Sequence, residues 1–328
     1  MFRRLLNLLA LIAGFGMLAV LIWQLGPLAI FENLKHVGLG FLALVALGLL
    51  QTLFDQWAWF IAIAHPVSFA KVFWVSLAGA AVSALTPLGE GGEVIKVNLL
   101  LDHCPSQKVV SAVLVWNLVY RLTKHALIFL GPLLLWTIGP TQFGLDVLFL
   151  FLLAGVVASI PTGLYLLLLV KGCASWTVRL IQRAPLLGRV IKPSTLAKAM
   201  DTDAVVHSFF GERRRDALMM VALMSIAKVL SVLEFYMVMY LIGAPVALTE
   251  AFFLVAGISV VRIFVSVAPV QIGFGEGGET ALFAMLGLPP EVGFSQAFVR
   301  LARSLLFNIV GLSYLALASI RGGGQRGR

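Results

Sequence analysis

Residues 82–96 read VSALTPLGEGGEVIK, and residues 267–280 read VAPVQIGFGEGGET. Each stretch carries an apolar segment into a Pro/Gly-rich turn and then sets down the same five residues. They are Gly89-Glu90-Gly91-Gly92-Glu93 in the first copy and Gly275-Glu276-Gly277-Gly278-Glu279 in the second. The chain holds only nine glutamates, and four of them stand in these two copies, so coincidence is a poor explanation. A recurrence of this kind marks a duplicated architecture. Glycine lets the backbone turn where other residues clash. Gly89, Gly91, Gly92, Gly275, Gly277 and Gly278 are therefore candidate hinges. The apolar pieces around the turns are Val72–Leu85 with Val94–Leu101, and Phe252–Ala268 with Thr280–Leu288. Short, Gly/Pro-interrupted apolar segments predict broken or re-entrant hairpins.

The rest of the chain agrees with a membrane setting. Of 328 residues, 60% are hydrophobic and 12% charged, with a mean hydropathy of +1.01. A soluble domain carries roughly 25% charged residues. This composition excludes a soluble enzyme, a secreted disulfide scaffold and an ordinary nucleic-acid binder. Six segments outside the hairpins exceed a hydrocarbon core of ~30 Å at about 1.5 Å per residue. They are Leu5–Leu25, Gly38–Ile63, Val109–Trp136, Leu145–Val170, Ala217–Ile242 and Val292–Ile320. The expected fold is an all-α polytopic membrane protein, residues 1–328 forming a single transmembrane domain. Cys104 and Cys173 lie far apart and the five histidines do not cluster, so no metal or other cofactor is expected.

Basic residues set the orientation. With six crossings, both termini and the loop Lys171–Asp216 fall on the cytoplasmic side. That side then holds Arg3, Arg4, Lys71, nine basic residues between Lys171 and Arg215, Arg321, Arg326 and Arg328. The outer loops hold Lys35 alone. The expected location is the cytoplasmic (inner) membrane. Two surface helices are expected in the basic 171–216 loop, around Ser175–Gln182 and Ser194–Phe210. Trp176, Leu180, Ile181, Leu196, Met200, Val206 and Phe210 would lie on an anionic leaflet. The same topology runs repeat 1 (about 38–138) and repeat 2 (about 217–320) in opposite directions. Inverted repeats put a substrate site near the midplane, at their interface.

The chemistry-bearing residues also come in matched sets. Arg121-Leu122-Thr123-Lys124 recurs as Arg300-Leu301-Ala302-Arg303, each pair of cations at i, i+3 on one helical face. A charge at bilayer depth costs at least ~2.5–3.5 kcal/mol, so these four must face something polar. Arg121, Lys124, Arg300, Arg303 and Arg262 are candidate substrate-binding residues for a phosphate or carboxylate headgroup, which arginine binds bidentately. Glu90, Glu93, Glu276, Glu279 and Asp55 are candidates for gating or proton coupling, or they cap half-helices and form buried ion pairs. Lys228 and Glu234 are further charges inside spans, Gln51 accompanies Asp55 one turn away, and Lys96 is expected to snorkel to the interface. Gly273–Gly278 matches G-x-G-x-x-G but lacks a strand-helix context, so no dinucleotide site is expected. No nucleophile set stands out, and the chain is not expected to be an enzyme.

The stretches PLGEGGEVIK (87–96) and PVQIGFGEGGE (269–279), the apolar Leu282–Leu288 and Arg300 resemble the flippase-like family of the lysylphosphatidylglycerol synthase transmembrane region. The resemblance covers nearly the whole chain. It implies movement or binding of a membrane lipid. The largest loop leaves no room for the soluble aminoacyltransferase domain of bifunctional members, so a stand-alone form is expected. The expected function is a flippase moving a phosphate-bearing or isoprenoid/hopanoid-type lipid through a polar cavity between the repeats. The alternatives are a secondary transporter of a small anion and a non-transporting subunit that holds a lipid-biosynthesis enzyme. Small residues in Ala78–Ala84 suit helix packing within a protomer or in a homo-oligomer.

Overall fold

The computed structural model describes residues 23, 28, 31, 35–64, 66–84, 86, 91–101, 103–138, 143–170, 172–182, 193–266 and 273–325. Among them are eleven helices and no strand. The first half contains α1 (Gly40–Ile63), α2 (Phe69–Ser83), α3 (Gly91–Leu100) and α4 (Ser106–Ile138). Next come α5 (Leu145–Val170), α6 (Cys173–Gln182) and α7 (Pro193–Glu212). The second half contains α8 (Arg214–Leu241), α9 (Leu248–Val265), α10 (Phe274–Met285) and α11 (Pro290–Gln325).

Six of the helices are long and apolar enough to cross a membrane: α1, α4, α5, α8, α9 and α11. Five coincide with expected spans, while Leu5–Leu25 lies, but for Trp23, outside the described residues. The sixth, α9, was expected as a short hairpin arm. It begins a turn earlier than its apolar run because the Glu250 carboxylate accepts the Ala247 N–H at 2.7 Å and caps that end. Its 18 residues reach about 27 Å. Its counterpart α2 has 15 residues and stays short of a crossing. Each arm still packs against the short helix that follows it, α2 on α3 and α9 on α10.

The most extensive helix contacts cross between the halves. Helix α1 packs on α8, α2 on α11 and α9 on α4. The last two are reciprocal, a hairpin arm of one half lying on the final long helix of the other. Glycine makes both crossings close. A Cβ on Gly311 would run into the Leu77 carbonyl oxygen, and one on Gly131 would sit 2.7 Å from the Phe252 carbonyl oxygen. Ala78 and Ala81 are buried inside the protomer, in the arm that lies on α11.

Two apolar cores occupy different levels of the bundle. One joins Ala58–Ile63 of α1, Val109–Val119 of α4, and Met220 and Met224 of α8. The other joins Leu44 of α1, Leu127 and Leu135 of α4, and Val232–Met239 of α8 with α9 and α10. The three helices α1, α4 and α8 run through both, so the level between the cores lies in the interior of each. Outward faces of α5 expose Phe149, Leu153, Ile160 and Leu167, as a lipid-facing helix does.

The basic segment is helical where expected. Both α6 and α7 form, and Asp203 ties them together by accepting the Ala174 and Ser175 N–H groups at 2.9 Å each. Trp176, Leu180, Met200 and Phe210 are exposed. Val206 was expected on the membrane face but is buried with Phe209, because α7 packs on α4 and turns that side inward.

Candidate functional site

A polar cavity of about 620 Å³ opens between the two apolar cores. Helix α1 contributes Gln51, Thr52, Asp55 and Gln56, spaced to share one face. Helix α4 contributes Trp116, Asn117, Tyr120, Arg121, Lys124 and His125. The remaining wall comes from α2, α3, α5, α9 and α11. Both halves of the chain therefore build it. On α4 the lining residues have about ten helical residues on either side, which sets the cavity deep in the bundle.

Five cations line the cavity, Lys96, Arg121, Lys124, Arg262 and Arg303, against two carboxylates, Asp55 and Glu93. Their surroundings divide them. Lys96 pairs with Glu93 at 2.9 Å and lies over the Trp116 ring, 4.5 Å from its centroid. Arg303 pairs with the buried Glu234 of α8, Nε to Oε1 at 2.6 Å. Arg262 donates from Nε to Glu279 Oε1 at 2.7 Å and holds Glu276 at 3.9 Å. Arg121 and Lys124 differ. Among the described residues neither has a carboxylate within ion-pair distance, and Arg121 instead lies 5.3 Å from the Tyr165 ring centroid. Two cations held at depth without a carboxylate partner are costly unless an anion is bound there.

The matched cation pairs do not take matched places. Arg300 is absent from the cavity wall; its Nη1 is 3.9 Å from Glu279 Oε2, behind Arg262. Glu276 and Glu279 also stand off the wall. The fully buried Glu279 collects Arg262, Arg300 and the Gln296 amide, whose Nε2 donates to it at 2.6 Å. Glu276 accepts the Gly273 N–H at 2.6 Å and so caps α10 as well as facing Arg262. These carboxylates position Arg262. Glu93 and Asp55 do line the cavity, and the Trp116 indole donates to the Asp55 backbone oxygen at 3.2 Å.

The glycines expected as hinges sit inside helices. Gly91 and Gly92 open α3, and Gly275, Gly277 and Gly278 lie in α10, while Gly89 and Glu90 fall outside the described residues. They allow close approach. A Cβ on Gly92 would run into the Gly79 carbonyl oxygen, and one on Gly278 would lie 2.6 Å from a Val261 methyl. The Gly275 position faces the Arg262 guanidinium, its built Cβ 3.6 Å away. The turn itself falls to Gly273, with φ +86°, a conformation that favours glycine.

Several site residues were not singled out from the sequence. Lys96 does not snorkel; it is buried on the cavity wall, and its i, i+3 spacing from Glu93 was the available signal. Ser304 and Asn308 line the cavity beside Arg303, one helical turn apart. Gly48 makes room for Arg303 against α1, a relation between distant segments with no local signature.

Residues 7–311 match the family described as the lysylphosphatidylglycerol synthase TM region. The chain belongs to that family. No curated protein and no solved structure matches it. Membership in the lysylphosphatidylglycerol synthase TM-region family accords with the six apolar helices and points to lipid handling by a multi-pass membrane protein.

Proposed function

We propose that this protein is a lipid transporter of the cytoplasmic (inner) membrane that moves a phosphate-bearing lipid, or an isoprenoid- or hopanoid-type one, between leaflets. The observation that carries the proposal is the deep cavity with Arg121 and Lys124 on its wall, neither paired with a carboxylate among the described residues. An anionic headgroup supplies the counter-charge that those two residues lack among the described residues, and arginine donates two parallel N–H bonds to a phosphate. Glu279 and Glu276 hold Arg262 in place for the same headgroup. A groove of about 420 Å³ favours a lipid over a small anion. It lies on α4 and α5, the helices that carry Arg121 and Thr162, and Phe129, Trp136, Leu148 and Leu152 make it apolar.

The two halves act as inverted repeats in this proposal. The reciprocal packing of α2 on α11 and α9 on α4, about the central α1–α8 pair, supports a two-fold relation. Rocking of one half against the other then exposes the cavity alternately. The basic 171–216 segment lies on the cytoplasmic side, with Trp176 and Leu180 of α6 resting on the anionic leaflet beside Arg179. No residue is assigned a catalytic role.

The test uses the full chain in liposomes that carry tail-labelled fluorescent phosphatidylglycerol. Dithionite bleaches only the outer leaflet, so transport shows as bleaching beyond about half of the signal. Arg121→Ala/Lys124→Ala should return the plateau to that of protein-free vesicles. Wild-type movement by this variant contradicts the phosphate role. A protein that moves labelled phosphate across the bilayer but no lipid is the small-anion transporter instead.

A further inference from the structure

The cavity has a second chemical character besides its cations, and it resides on α1 and α2. Gln51, Asp55, Gln56 and Ser76 line the cavity, and Gln51 Oε1, Asp55 Oδ1, Gln56 Oε1 and Ser76 Oγ are buried with no hydrogen-bond partner among the described residues, as is Glu93 Oε2 on α3. Buried polar groups are ordinarily satisfied, and each one left unmade is costly. Several such groups on one part of a cavity wall call for a ligand that brings hydrogen-bond donors. The cations are carried by other helices, Lys96 on α3, Arg121 and Lys124 on α4, Arg262 on α9 and Arg303 on α11, and of these the Arg303 guanidinium reaches α1 at Gly48.

Two classes of donor are available, an ammonium and a hydroxyl. The features that draw an ammonium are already occupied by the protein's own cations. Lys96 holds Glu93 at 2.9 Å and lies over Trp116, and Lys228 Nζ is 3.9 Å from the Tyr120 ring centroid. Asp55 lines the same cavity as Lys96. An added ammonium would enter a cavity in which cations already outnumber carboxylates. A neutral hydroxyl meets no such repulsion. It both donates and accepts, so it suits a glutamine amide in either orientation and the Ser76 hydroxyl too.

Building on the lipid-phosphate proposal above, we infer that the headgroup is an anionic polyol. Its phosphate faces Arg121 and Lys124, and neutral hydroxyls beyond the phosphate reach Gln51, Asp55 and Gln56. Glycerol, inositol and sugar phosphates belong to this class, and ethanolamine phosphates do not.

Native mass spectrometry of the full chain in detergent tests the inference with four probes. Phosphatidylglycerol carries hydroxyls, phosphatidylethanol has the same charge and no hydroxyl, phosphatidylethanolamine carries the ammonium, and glycerol 3-phosphate has no tails. Two or more added hydrogen bonds should favour phosphatidylglycerol over phosphatidylethanol by about tenfold or more. Gln51→Leu/Gln56→Leu should abolish that preference. Equal binding of those two lipids by the wild type overturns the polyol inference and leaves the lipid-phosphate proposal standing. Tighter binding of phosphatidylethanolamine overturns it in favour of an ammonium. Failure of every phospholipid to bind sinks both. Glycerol 3-phosphate binding as tightly as phosphatidylglycerol supports the headgroup chemistry and overturns lipid transport. The wild-type panel decides these outcomes even if the double variant does not fold.

Discussion

Gly48→Ala separates two opposed effects on one residue. Inside a helix, alanine is more favourable than glycine by about 0.5–1 kcal/mol, so helix propensity alone predicts stabilisation. Gly48 is not a free position. A Cβ there would lie 2.9 Å from both Cδ and Cζ of Arg303 and closer still to Nη1, where ordinary contact starts at 3.4 Å. The guanidinium must therefore retreat by about 1 Å. Arg303 Nε now stands 2.6 Å from Glu234 Oε1. Stretching that pair to about 3.6 Å at an effective dielectric near 20 costs about 2 kcal/mol. The net expectation is a loss of about 1 kcal/mol, read from reversible unfolding in mixed micelles. In an Arg303→Ala background the clash is gone, and Gly48→Ala should then stabilise the protein. Retention of phosphatidylglycerol should fall with Gly48→Ala, since Arg303 leaves its place on the cavity wall. A stabilised single variant with undiminished lipid binding would refute the proposed seat of Arg303.

Glu279→Gln removes the charge that holds Arg262 and Arg300, and breaking a buried pair of this kind should cost about 3–5 kcal/mol in the same unfolding assay. Arg262→Met/Glu279→Met/Arg300→Met should recover much of that loss. Asp203→Ala takes the cap from α6, which should cost about 0.5–2 kcal/mol and speed proteolysis within residues 171–216. Burial pushes the Cys104 thiol up from its ordinary range, against a smaller opposite pull from Lys108. Only the thiolate reacts, so maleimide labelling at Cys104 should be slow at neutral pH and quicken only as the pH rises well above the usual thiol range.

Most of the fold was legible because lipid imposes a simple rule. Apolar length alone locates α1, α4, α5, α8 and α11 within a few residues. The boundary of α9 was not, because it depends on one carboxylate, Glu250, closing the helix end before the apolar run begins. The duplicated Gly-Glu stretch pointed to the hairpins, but the work of its glycines was hidden. Gly92 and Gly278 serve contacts with residues of the preceding arm, Gly79 and Val261. Such contacts depend on how two helices cross, which no local pattern records.

The site was half legible for a related reason. Charges in apolar spans announced themselves, and Arg121, Lys124, Arg262, Arg303 and Asp55 do meet in one cavity. Their division of labour was not visible in the motif. Arg121-x-x-Lys124 and Arg300-x-x-Arg303 share a spacing, yet only the first pair stands without carboxylates among the described residues. The reason is the company each helix keeps. Helix α11 packs on α10, which brings Glu279 to Arg300, and Glu234 of α8 reaches Arg303. On the described part of α3, next to α4, the carboxylate Glu93 is taken by Lys96. A duplicated pair of cations has thus been split: one copy is neutralised by carboxylates of the protein, and the other has none among the described residues.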